Sequence, residues 1–449
     1  MRSIVITNKD VLSSNRFDGS YHNAAVNIYD GIIRKHSSHN LSFYCSDVFT
    51  SGRNRRVYTS EAFGVPFLSN SDVMSANPFM SCKYTSRKYG FDVEGMLKKG
   101  MILTGRVGAI GQTAFVTESW EKVKAIGSDN IIRIQVKPEY KNGFIYAYLA
   151  SKVGNLSFWK HATGGVQPFI TDSMVGTLPI PDFPEEFQEK IDSLIAESAR
   201  LRDISTESLN EAHALIESHF TEQMCQPSYG IVSSKTVSES QFLRFEATYH
   251  LSVGKQYDEY IKNHFEWKSL GELSESISRP GIAKRMYVKD GITFLGGTDI
   301  FLSVPESDKK LSRKAPSLED YLIQEGWILL PRSGTIGDVV FTNEQHAQKL
   351  VSEHVVRIIP NNILRRGFVF SFLSSKIGKA LIQRPIFGSV IQHVEPPLLS
   401  VIPIPVFEEA EMEKIASLAE KHRECWGKAA KMELEAISLV EKEIEKWNN

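Results

Sequence analysis

The sequence predicts an α+β protein made of two tandem mixed α/β domains, each followed by a long helix. The two helices are expected to pair as an antiparallel coiled coil with pseudo-twofold symmetry. The first observation behind this is a repeat at half the chain length of 449 residues. Gly100-Met-Ile-Leu-Thr-Gly-Arg-Val-Gly-Ala-Ile-Gly111 returns as Gly326-Trp-Ile-Leu-Leu-Pro-Arg-Ser-Gly-Thr-Ile-Gly337. Four further pairs keep the same order: Arg16–His22 with Arg244–His250, Gly64–Leu68 with Gly291–Leu295, Phe144–Gly154 with Phe368–Gly378, and Leu178–Phe183 with Ile402–Phe407. So long a period means two copies of a whole domain, not a solenoid of small repeats. The second observation is texture, because each copy runs from short β-like segments into a long amphipathic stretch. The third is charge, which alternates along the chain in step with the repeat.

In the first copy, short apolar runs at 64–68, 101–103, 113–116 and 130–136 lie between Gly, Ser and Asn turns and predict strands. A helix is expected near Phe144–Ser151. Leu178-Pro-Ile-Pro then closes the domain, since two prolines so close fit neither a helix interior nor a central strand. From Phe187 to Phe220, and again from Met412 to Ile444, apolar residues recur at spacings of mainly three and four, the mark of an amphipathic helix with a packing seam. At 1.5 Å per residue such helices reach roughly 55 Å, and each needs a partner along its length. The expected boundaries are a domain at 1–183, a helix at 184–222, a polar linker at 223–240, a second domain at 241–407 and a second helix at 408–449.

Bulk composition narrows the function. The chain is 42% hydrophobic and 23% charged, as in an ordinary globular protein, and no window is apolar enough to span a membrane. The N-terminus turns charged after three apolar positions, unlike a secretory signal. Four dispersed cysteines without a C-x-x-C pair read as free thiols of a reducing cytoplasm. The net charge of −1 conceals an uneven distribution: the two helical segments carry nine acids against three bases and eleven against seven, leaving +9 on the rest. A near-neutral total can therefore hide a surface suited to a polyanion.

Three pairs of segments could carry binding chemistry. The glycine loops place Arg106 before Gly108, and Arg332 and Ser333 before Gly334. Glycine admits close backbone approach, and arginine can fork onto a guanine or a phosphate. A tight turn, repeated because the fold is repeated, explains the glycines as well. Two basic turns carry Arg53, Arg55 and Arg56, and Arg279, Lys284 and Arg285, beside tyrosines. They suit phosphate contact, and a solvated charged loop is the plainer alternative. Last come Gln167 and the Gln392-His393 pair, where glutamine could bond adenine bidentately or simply close a structural turn. No P-loop, zinc-protease, serine-lysine or methyltransferase motif is present, and no His–carboxylate–Ser set recurs, so catalysis has little support.

With its duplicated halves, the R-S-G-T-I-G loop, the I-P-I-P closing turn and the long helix after it, the chain resembles the specificity subunit of type I restriction–modification systems. The resemblance implies two target recognition domains, each reading half of a bipartite, asymmetric double-stranded DNA sequence. It implies conserved helices that set the spacing and dock two methyltransferase (modification) subunits, with two motor–nuclease (restriction) subunits as further partners. S-adenosylmethionine, ATP and Mg would then belong to the partners, with no cofactor and no catalytic residue in this chain. The family's P-x-x-E-Q helix start is matched loosely by Pro184–Gln188 and not at 408–414. Two other readings stay open: a protein-binding scaffold or specificity-like subunit of another defence system, and a self-contained nuclease.

Overall fold

In a computed structural model, residues 7–8, 11–12, 21–22, 24–89, 92–164, 166–220, 224, 229–240, 242–282 and 284–447 are described. The chain folds as two compact units, Met1–Asp203 with Lys428–Asn449, and Ile204–Gly427. The architecture is mixed α/β, with small sheets and two long helices, Glu185–Ser218 and Glu409–Lys446, of 34 and 38 residues. The motif expected at Arg16–His22 falls largely on residues 16–20, outside the described ones, as do 223 and 225–228 of the 223–240 linker. The linker's described part contains a short helix, Ser234–Ser238.

The first unit is organised by an antiparallel sheet in the order Cys45–Phe49, Ile131–Val136, Ile102–Gly105, Thr113–Phe115. The second unit repeats that order with Ser274–Ser278, Val355–Pro360, Ile328–Pro331 and Val340–Phe341. Each unit adds a smaller sheet in which the G-x-x-F-L strand (Gly64–Leu68, or the end of Tyr287–Leu295) pairs in parallel with a later short strand. The closing prolines form short strands, Pro179–Ile180 and Pro403–Pro405, each in a two-stranded sheet. A two-stranded ribbon needs few ladder donors, so proline is tolerated there.

The expected helix is Asn142–Ala150, and a second, Lys152–His161, follows it at once. The second unit matches this with Arg366–Ser374 and Lys376–Gln383. One residue breaks each pair: Ser151, at ψ 162°, and Ser375, at ψ 166°. Each serine hydroxyl accepts from the glycine amide three residues on (3.1 and 3.2 Å) and donates to a carbonyl three residues back (2.6 and 2.7 Å). The sequence does not announce the second helix, because so short a run after a serine carries little periodicity.

Within each unit the long helices complete the core. In the first, Ile191 and Ile195 pack with Ala436, Val440 and Ile444 around Phe144 and Tyr148. In the second, Leu209, Ala212 and Ile216 pack with Met412, Ile415 and Ala419 around Phe368 and Phe372. Contacts between the helices in the second unit join Ser205 to His422, Glu211 to Lys414 and His219 to Glu411, so the two chains of residues run antiparallel there.

Candidate nucleic-acid interface

The glycine loop of each unit is the turn between two antiparallel strands, Ile102–Gly105 and Thr113–Phe115 in the first. Gly108 and Gly334 have φ of +79° and +84°, where a side chain is strained, and a Cβ on either would meet nothing within 4 Å. Turn geometry therefore requires these glycines, and their outer face is open. Gly111 and Gly337 also have positive φ, +75° and +123°, and in addition lie against Asn155 and Gln383, so a side chain there would meet both strain and crowding.

The fold joins this loop to the glutamine segment. Val107 bridges Phe169, which bridges Thr163, and the Ile170 amide donates to the Arg106 carbonyl at 3.0 Å. Ser333 likewise bridges His393, which bridges Phe387, and the Val394 amide donates to the Arg332 carbonyl at 3.0 Å. Each unit thus presents a pinched loop, 163–169 or 387–393, alongside an arginine–glycine turn. Gln167 and Gln392 are exposed on these loops, next to Val166 and to Val390 and Ile391, which are also exposed. His393 is half-buried, with its Nδ1 lacking a hydrogen bond.

The arginines differ in their commitments. Among the described residues Arg106 makes no ion pair, and Arg55 and Lys284 are exposed and likewise unpaired. Arg56 is held on the buried carboxylate of Asp129, which also takes Arg53 at 3.3 Å. Arg285 is held in the same way on Glu353. Arg56 lies 4.9 Å over the Phe67 ring and Arg285 lies 5.2 Å over Phe294, with Tyr58 and Tyr287 edge-on to those rings. Burial opposes ionisation of Glu353, but the Arg285 hydrogen bond prevails and lowers its pKa. Arg332 and Arg279 share Glu395, at 2.5 and 3.2 Å.

The sequence reading missed those carboxylates. The signal was a further matched pair, Ser128-Asp-Asn-Ile-Ile-Arg-Ile134 and Ser352-Glu-His-Val-Val-Arg-Ile358. It carries both acids, Asp129 and Glu353, and a buried arginine, Arg133. Arg133 is fully buried and donates to the carbonyls of Gly95, Gly127, Ser128 and Ile131 at 2.5–3.4 Å. Burial lowers its pKa to about 10, which still leaves it charged near neutrality.

Among the described residues no cluster of His, Cys, Asp and Glu could hold a metal, and no helix is long and apolar enough to cross a membrane. Burial raises the Cys45 and Cys82 thiols to about 12, far from a reactive thiolate.

The two units share one topology, and each carries a basic turn and an arginine–glycine loop. Residues 263–425, within the second unit, match the family described as "Type I restriction modification DNA specificity domain". No curated protein matches the chain. Among solved structures it is similar to the S subunit of a type I restriction–modification system from M. genitalium, at 13% identity, covering 91% of this chain and 94% of that one, with a TM-score of 0.35. It is also similar to the HsdS subunit from Thermoanaerobacter tengcongensis, at 15% identity, 91% and 95% coverage and a TM-score of 0.29. Likeness at such identities and scores carries no functional weight.

Proposed function

We propose that the chain reads a bipartite, asymmetric sequence in double-stranded DNA, one half with each unit, and directs adenine methyltransferase and restriction subunits to it. Residues 1–183 and 241–407 are the two recognition domains, and the helices at 184–222 and 408–449 pair as an antiparallel coiled coil that spaces them and docks two modification subunits. The observation carrying this reading is that the paired loops are built twice, once inside the segment matched to a DNA specificity domain.

Arg106, Gly108 and Gln167 form the reading surface of the first unit. Arg332, Ser333, Gln392 and His393 form that of the second. Arg55 and Lys284 contact phosphate, and Arg53, Arg56, Arg279 and Arg285 offer the N–H groups their carboxylates leave free. S-adenosylmethionine, ATP and Mg belong to the partners, and the complex works in the cytoplasm.

The test is methylation sequencing of a methylation-free host expressing the chain with its neighbouring methyltransferase gene. A gapped, two-part adenine motif that depends on this chain is expected. An active, bound methyltransferase that still yields no motif would overturn the reading and leave a protein scaffold.

A further inference from the structure

The two reading loops are built alike but held differently. In the first unit, the position matching Glu395 is Thr171, whose side chain caps the short helix Asp172–Gly176 by accepting from the Met174 amide. Glu395 occupies the same place before Pro396–Leu399, yet makes no capping bond. Pro396 and Pro397 have no N–H, so the first turn offers its carboxylate little to accept. The carboxylate turns instead to two arginines. Its Oε1 takes Arg332 Nε at 2.8 Å and Nη2 at 2.5 Å, and its Oε2 takes Arg279 Nε at 3.2 Å. Burial resists ionisation of Glu395, and the hydrogen bonds from Arg332 and Arg279 overcome it and hold the pKa below the ordinary value.

Arg332 is thereby gripped along the edge formed by Nε and Nη2. Guanidinium has five N–H donors, so the end-on pair from Nη1 and Nη2 remains for a second acceptor, and that pair is the one that forks onto guanine O6 and N7. Next to it, Gly334 leaves open space. A long arginine side chain otherwise loses considerable rotamer freedom on binding, and a prior grip removes much of that loss.

We infer that Glu395 is a positioning residue for sequence reading by the second unit: it aims Arg332 at a base and withholds Arg279 from indiscriminate phosphate contact. The inference rests on the proposed DNA-reading function. It makes the two half-sites unequal, with the second read by a pre-aimed, partly neutralised arginine and the first by Arg106, which has no such carboxylate among the described residues.

The test compares wild type, Glu395→Gln and Arg332→Ala, each expressed with the methyltransferase partner, by methylation sequencing. Duplex binding by the purified complexes is then measured against salt. E395Q should keep the first part of the motif and relax one position of the second, the position that R332A also relaxes. Its preference for target over second-half-mutated duplex should fall about ten- to a hundredfold. Its binding should fall more steeply with salt, by one to two in the log–log slope, because two cations are released to phosphates. An unchanged motif, preference and slope in E395Q would sink the inference while the wild-type motif upheld the DNA-reading function. No motif from wild type would remove that function itself, and this inference with it. Should E395Q unfold, Glu395→Asp keeps the charge but withdraws it by one methylene. A partial loss of the same preference is expected, and full preference would refute the role.

Discussion

At the residue scale, one buried cation underlies the basic turn of the first unit. Arg133 ties the segment 127–131 to Gly95 through carbonyls alone, and this fixes the stretch that carries Asp129. Asp129 in turn holds Arg53 and Arg56. Replacing Arg133 by Met keeps bulk but abandons buried acceptors, at about 1–3 kcal/mol for the desolvated carbonyls. The expected result is a lower melting temperature together with weaker DNA binding through the first half-site. Intact binding in a destabilised R133M protein would show that the turn does not depend on it. The matching Arg357 is only half-buried and donates to the Asp320 carbonyl, so R357M is expected to cost less. Arg106 and Arg332 belong to the same scale. Arg106→Ala should lower target preference about tenfold or more at the first half-site alone, and Arg332→Ala at the second alone. Two variants that relax the same half of the motif would contradict a division of reading between units.

At the element scale, the helix pair after the central sheet depends on glycine. A Cβ on Gly154 would lie 2.2 Å from the Tyr148 carbonyl, and on Gly378 2.1 Å from that of Phe372. Backbone cannot yield as a side-chain tip can, so Gly154→Ala or Gly378→Ala should cost about 3 kcal/mol or more by overpacking. Thermal melting of each variant checks this, and a loss below 1 kcal/mol would mean the helices re-space freely. These glycines were legible in the sequence as part of the repeated Ser-Lys-x-Gly, although the reason for them was not. The strands at 64–68, 113–115 and 131–136 were legible as well, because burial on a sheet imposes short apolar runs. The candidate arginines were legible as types in matched places. Their carboxylate partners were not, since Arg56 and Asp129 lie 73 positions apart and only the fold brings them together. The long helices were visible in outline, but their buried polar contacts were hidden by periodicity that counts only apolar positions. Glu433 is one example: it accepts from Tyr146 at 2.7 Å and Arg202 at 2.5 Å. Glu433→Ala strands a buried guanidinium and should cost about 3–5 kcal/mol.

At the scale of the whole molecule, buried histidines link the stability of the second unit to pH. The second unit buries His346 against the Ile300 carbonyl and Asn343, and His422 against Ser205. Burial lowers each pKa to about 4, from an ordinary 6.5. Both belong to Ile204–Gly427. A histidine held neutral in the fold but free to protonate when unfolded makes the unfolded state bind more protons between those two values. The stability it contributes is therefore complete above pH 6.5 and is lost as pH falls toward 4, at up to about 3 kcal/mol for each. Hydrogen exchange at pH 7.5 and at pH 5 is expected to show amides of the second unit losing protection as the pH falls. The variant His422→Gln, which keeps a polar group beside Ser205 without a titrating ring, should lessen that loss, while His346 and His213 continue to titrate. An undiminished loss in H422Q would take His422 out of the acid response and leave it to His346, His213 and the carboxylate pairs.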